Sequence, residues 1–197
     1  MSTELLKLLL PPLLLGTLLA VAVWHDVRSR RIPNLLVLPG ALAGLALNGA
    51  LPTGAGLFSA QFGGLGATAS LTGLGAGLAV LLPIYMLRAM GAGDVKLMAM
   101  VGAFLGPRAL LETALWSLLA GGALALLAAL FSGRLAALLA NTYQMLLHAL
   151  MRTLAGAGGG IDAPAAASGK LPYAIAIACG TVLHLLLARR HFSGLLP

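Results

Sequence analysis

The chain has 197 residues, 60% of them apolar and only 9% charged, with a formal net charge of +7. A soluble domain usually carries about 25% charged residues, so this composition excludes a water-covered globule and indicates an integral membrane protein. The basic residues flank apolar segments as topology signals do, which argues against a nucleic-acid partner. The single cysteine, Cys179, excludes a disulfide framework or a CxxC metal pair.

Residues 5–24 form the first apolar segment. The stronger positive cluster follows it, and no convincing small-x-small cleavage site ends it before Trp24, so it reads as a retained transmembrane helix rather than a signal peptide. Pro11-Pro12 predicts a kink, and Trp24 an interface anchor. The stretch HDVRSRRIPN, 25–34, reads as a loop whose Arg28, Arg30 and Arg31 place it in the cytoplasm. Pro33 and Asn34 are expected to start the second helix. Further apolar segments fall at 35–51, 64–87, 95–107, 109–131 and 171–188, with a tight turn expected at Pro107-Arg108. Segment 95–107 reaches roughly 20 Å, against about 30 Å of hydrocarbon. Asp94, just ahead of it, is therefore expected in a wetted, protein-lined recess. Gly44, Gly73 and Gly77 suit close helix packing.

In 134–152, Arg134, Asn141, Gln144, His148 and Arg152 fall within about 80° of one another at helical spacing. Such a helix lies in the interface plane, or crosses as a seventh span with its stripe turned inward. The charge count fits both; the amphipathic stripe favours the first. Residues 155–169, rich in Gly, Ala and Pro, read as a flexible cytoplasmic loop. The expected architecture is a single all-α domain over 1–197: a polytopic bundle of about six transmembrane helices plus one interfacial amphipathic helix.

The five acids are Glu4, Asp26, Asp94, Glu112 and Asp162. This topology puts Glu4 and Glu112 outside, and Asp26, Asp94 and Asp162 inside. Asp162 reads as a solvated loop residue, whereas Asp26 and Asp94 lie on apolar helices near the same face, where ionisable groups are costly. Two carboxylates held close share a proton. The ionised one can take a proton from water while the other gives one to a scissile carbonyl oxygen. That chemistry needs no metal and no cofactor. Gly91 and Gly93 would allow positive φ or a close substrate approach, and Lys96 would tune which acid carries the proton. Plainer readings stand beside this one: Asp94 as a helix cap, Asp26 as an interfacial residue. His25, with no second ligand at helical spacing, reads as interfacial too.

HDVRSRRIPN after a first span, and GAGDVKLMAMVGAFLG opening a later one, together resemble the two aspartate motifs of the type IV prepilin peptidases, membrane aspartic proteases of the GxGD class. KLPYAIAIACG, 170–180, resembles the family's segment entering its last span. The resemblance implies that Asp26 and Asp94 are catalytic and that Gly91, Gly93 and Lys96 support the second motif. It implies removal of a short basic leader from a prepilin at the cytoplasmic face of a bacterial inner membrane. The partners so implied are the prepilin, with its leader and apolar helix, and membrane lipids. Many members carry a methyltransferase portion with cysteine pairs. This chain is similar to the short, peptidase-only branch associated with tight-adherence (Flp-type) pili, so N-methylation is not expected of it. Two rivals remain at this point. A presenilin or signal-peptide-peptidase type of enzyme would show a Pro-Ala-Leu motif, which this sequence lacks. A proton-coupled carrier would favour internal repeats and midplane acids.

Overall fold

The computed structural model describes residues 3–59, 61–86, 90–133, 135–154 and 172–193. Six helices follow one another in them: α1 (Thr3–Ser29), α2 (Asn34–Ala50), α3 (Ala67–Met86), α4 (Ala92–Phe131), α5 (Leu135–Leu154) and α6 (Tyr173–Ser193). The all-α expectation holds, with one isolated bridge, Thr53 to Gly64, in the loop before α3. Leu9–Ser29, Ala67–Met86 and Ala92–Phe131 are long and apolar enough to cross a membrane, and Asn34–Ala50 and Tyr173–Ala188 are shorter apolar helices. Outward residues such as Leu35, Leu42, Leu115 and Phe131 are exposed, as a lipid-facing surface requires. The loop 155–169 with Asp162, and Arg88, Arg134 and Lys170, lie outside the described residues.

α1 runs further than the sequence reading allows. It continues through Pro11 and Pro12 and does not stop at Trp24, because nothing in His25–Ser29 breaks a helix. Its last turn is closed by Ser29 Oγ donating to His25 O at 2.7 Å. Arg30, at φ 54, adopts the left-handed conformation that ends helices. The loop therefore shrinks to about residues 30–33, and Asp26 lies on the helix, as expected of it. Pro33 is extended and α2 begins at Asn34, as expected.

α4 is a folded-back hairpin of two arms, 92–105 and 107–131. Gly106, at φ 75 and ψ 174, interrupts it in a region open only to glycine. A Cβ on Gly102 would lie 3.2 Å from Leu110 Cδ2, whereas eight residues of straight helix span about 12 Å. The reversal thus falls one residue ahead of the expected Pro107-Arg108 turn. Pro107 has no N–H, so the carbonyl of Ala103 loses its helical partner. Two neighbouring helices replace it: Asn48 Nδ2 donates at 2.9 Å from α2 and Ser70 Oγ from α3. Asn48 also donates to Phe104 O at 3.2 Å and accepts from Leu65 N at 3.0 Å. It fastens the hairpin to the loop entering α3.

From Asp94 to Gly106 every residue except Lys96 is buried. A helix apolar all round belongs at the centre of a bundle, and α1, α2, α3 and α6 all pack against α4. Glycines let the neighbours approach. A Cβ on Gly44 would sit 2.9 Å from Phe104 Cδ2, one on Gly73 would sit 2.8 Å from Gly106 Cα, and one on Gly77 would sit 2.7 Å from Ala99 Cα. These are the packing roles expected of small residues in lipid. α5 touches, among the described elements, only α4.

Candidate active site

The stretches 25–34 and 91–106 lie against each other. Ile32 packs on Gly93, where a Cβ would stand 3.2 Å from Ile32 Cβ, and Lys96 Nζ donates to Asn34 Oδ1 at 2.9 Å. Beneath these contacts are the two acids. Asp26, in the last turn of α1, and Asp94, in the first turn of α4, are 7% and 8% exposed. They lie within Coulombic reach of each other.

Backbone amides anchor both carboxylates. Gly91 is the residue preceding α4, and its N–H donates to Asp94 Oδ2 at 3.1 Å. The Asp94 N–H donates to Gly91 O at 3.1 Å. Asp94 therefore caps its helix from the third helical position, reaching back over the first turn. Asp26 is held by a different helix: Ala174 N–H, at the start of α6, donates to Asp26 Oδ2 at 3.1 Å. The positive ends of α4 and α6 thus face one acid each. One oxygen of each carboxylate is fixed in this way. Tyr173, the first residue of α6, is within electrostatic reach of Asp94.

Gly91 and Gly93 take part differently from the positive-φ option raised by the sequence. Gly91 is extended, at φ −81 and ψ 151, and Gly93 is helical. Each serves close approach instead, Gly91 leaving room for Asp94 Oδ2, from which a Cβ would stand 3.2 Å, and Gly93 for Ile32. Lys96 points away from Asp94, since helical residues two apart do not face each other. Glu112 is at the opposite end of the bundle, 3.4 Å from His184 Nδ1. Among the described residues no group of three or more His, Cys, Asp or Glu is arranged to hold a metal ion.

Sequence reasoning missed Tyr173 and Ala174. The available signal was Pro172, which marks a helix start and so places the next amides at an unsatisfied helix N-terminus.

Fold and site together define an all-helical, membrane-type protein with a buried pair of acids at one end of the bundle. The chain belongs to the type IV leader peptidase family, whose model matches residues 13–126. It is 35% identical over 126 residues to a prepilin leader peptidase/N-methyltransferase of Myxococcus xanthus (strain DK1622). That match covers 64% of this chain and 36% of the relative, so the chain spans little more than a third of that protein's length. No solved structure matches the chain significantly.

Proposed function

We propose that this chain is a membrane aspartic endopeptidase that removes the short basic leader of type IV, Flp-like prepilins. One observation carries the reading: Asp26 and Asp94, from separate helices, are both buried at one end of the bundle within reach of each other's charge. A buried pair of like-charged groups is costly unless it shares a proton, and membrane proteins rarely retain such groups without a use for them.

In the proposed reaction the ionised aspartate takes a proton from a water molecule, and the hydroxide attacks the scissile carbonyl. The protonated aspartate gives its proton to the carbonyl oxygen. As the tetrahedral intermediate collapses, the C–N bond breaks, the leaving nitrogen takes the proton drawn from water, and the second aspartate recovers its proton from a hydroxyl of the intermediate, leaving the carboxyl product and restoring the pair. The amide bonds to Oδ2 of both acids leave their remaining oxygens for water and substrate. The prepilin's apolar helix lies among the spans, and its basic leader stays at the cytoplasmic surface, where Arg28, Arg30 and Arg31 set topology or meet anionic lipid heads. The membrane is the bacterial inner membrane.

The test is co-expression with candidate Flp-type prepilins, scoring leader loss by gel mobility. Wild type cleaves, while Asp26→Asn and Asp94→Asn accumulate in the membrane fraction at normal level and leave the prepilin intact. Near-normal processing by either variant would falsify the two-acid reading.

A further inference from the structure

The acid pair is joined by a third element that neither aspartate motif contains: the first turn of α6. Asp26 is held by an amide of that turn, Ala174 N–H, at 3.1 Å. Where this amide lies depends on where α6 begins, and Tyr173 fixes that point. Its ring is seated on Gly121, in the second arm of α4. A Cβ at Gly121 would lie 2.5 Å from Tyr173 Cε2 and 3.0 Å from its Cζ and hydroxyl oxygen. Real Cβ atoms do not come so close to a ring carbon, so the ring occupies space that only a glycine leaves.

Further along the same face, a Cβ on Gly180 would meet the backbone of Ser117, 2.6 Å from its Cα, and Ile177 between them is fully buried. Residues 173, 177 and 180 follow helical spacing, so α6 lies along the second arm with Tyr173 as its end contact. Asp94 is within electrostatic reach of that same tyrosine. A straight α4 would place Gly121 roughly 40 Å from Asp94; the reversal at Gly106 is what brings them to one level.

We infer that Gly121 and Tyr173 are positioning residues of the active site: the glycine seats the tyrosine ring, the seated ring fixes the start of α6, and the Ala174 amide there holds Asp26 in register with Asp94. The inference rests on the two-aspartate reading. Neither residue exchanges a proton or contacts the scissile bond in this scheme. Their effect reaches the reaction through the placement of one carboxyl group, where a shift of about an ångström can cost a hundredfold in rate.

Gly122 supplies the control, because a Cβ there would meet nothing within 4 Å. The assay uses the purified full-length chain in detergent and the Flp-type prepilin whose leader the wild type removes on co-expression. Gly121→Ala lowers kcat tenfold or more with KM unchanged, a pattern expected when an interaction specific to the transition state is disturbed, while Gly122→Ala retains the wild-type kcat. Tyr173→Leu, which removes the ring without a clash, also lowers kcat at constant KM. In the Tyr173→Leu background, Gly121→Ala has no further effect, because the ring it collides with is gone. If Gly121→Ala does not fold, Tyr173→Leu alone carries the test. Equal kcat for Gly121→Ala and Gly122→Ala, a raised KM at constant kcat, or full activity of Tyr173→Leu overturns the positioning role. Asp26→Asn in the same assay separates the two levels: if it stays active, the aspartate reading itself has failed; if it is dead while Gly121→Ala and Tyr173→Leu are normal, only this inference has.

Discussion

Lys96 donates to Asn34 at 2.9 Å across 62 positions of sequence, and this bond ties the Ile-Pro-Asn end of the first motif to the helix that Asp94 opens. The lysine thus braces two helix starts and is turned away from the acid. An exposed hydrogen bond of this kind contributes about 1 kcal/mol, which corresponds to about fivefold in rate. Lys96→Met and Asn34→Leu should therefore each slow leader removal about fivefold or less, and the double variant should be no slower than the worse single one. A loss of a hundredfold or more for Lys96→Met alone, with Asn34→Leu mild, would instead mean that the lysine acts directly on the acid pair. Initial rates on one prepilin for the three variants decide the matter.

Asp94→Glu tests geometry with the charge retained. The carboxylate of Asp94 folds back over a single helical turn to accept the Gly91 N–H at 3.1 Å. An added methylene moves the carboxyl group about an ångström, enough to cost about a hundredfold in rate. The variant should accumulate like wild type and process prepilin at or below about one per cent of its rate. Retention of most of the activity would show that the acid's place is not constrained by the helix start.

How far the sequence discloses this site follows from which atoms do the work. Asp26, Asp94, Gly91, Gly93, Lys96 and Asn34 all stand in two recognisable stretches, and the structure brings those stretches together. Composition indicates a membrane protein, the lengths of the apolar segments indicate helices, and the glycines at 44, 73 and 77 are readable as packing positions. Pro172 signals that free amides open α6, but the partner of the Ala174 amide was not readable, because a backbone N–H carries no residue signature and acts here across 148 positions. The extension of α1 to Ser29 was obscured by the arginines, which signal topology without breaking a helix. Gly106 looked like one glycine among 26; only its positive φ in the folded chain marks it as the hinge of the hairpin. The side to which Lys96 points follows from helical geometry once the start of α4 is known, and that start is what a glycine-rich approach leaves uncertain.

Asn48 is the buried polar group on which the hairpin most depends. Asn48→Leu removes the donor to Ala103 and Phe104 carbonyls and the acceptor for Leu65 N–H. Leaving a buried polar group without a partner costs about 1–3 kcal/mol. Ser70→Ala removes one of two donors to Ala103 O, and Asn48 remains to satisfy it. Thermal unfolding in detergent should therefore rank the variants, with Asn48→Leu clearly below wild type and Ser70→Ala between the two. The reverse order would place the anchoring of the hairpin on α3 instead of α2.

Gly73 and Gly75 lie two residues apart on α3 and should behave oppositely when changed to alanine. A Cβ at 73 would stand 2.8 Å from the carbonyl carbon and Cα of Gly106, atoms of the hairpin's own hinge, whereas a Cβ at 75 would meet nothing within 4 Å. The backbone at 106 has no side chain to swing aside, so Gly73→Ala must push α3 away from the central arm, at the 1–3 kcal/mol typical of an overpacked core. Gly75→Ala adds only helix propensity, worth up to about 1 kcal/mol in the stabilising direction. Because the central arm carries Asp94 at its far end, the displacement caused by Gly73→Ala should also depress the rate of leader removal, while Gly75→Ala leaves it unchanged. Unfolding temperature and cleavage rate measured on the same two preparations check both halves, and a Gly73→Ala protein as stable as the Gly75→Ala protein would refute the close packing of α3 on the hinge.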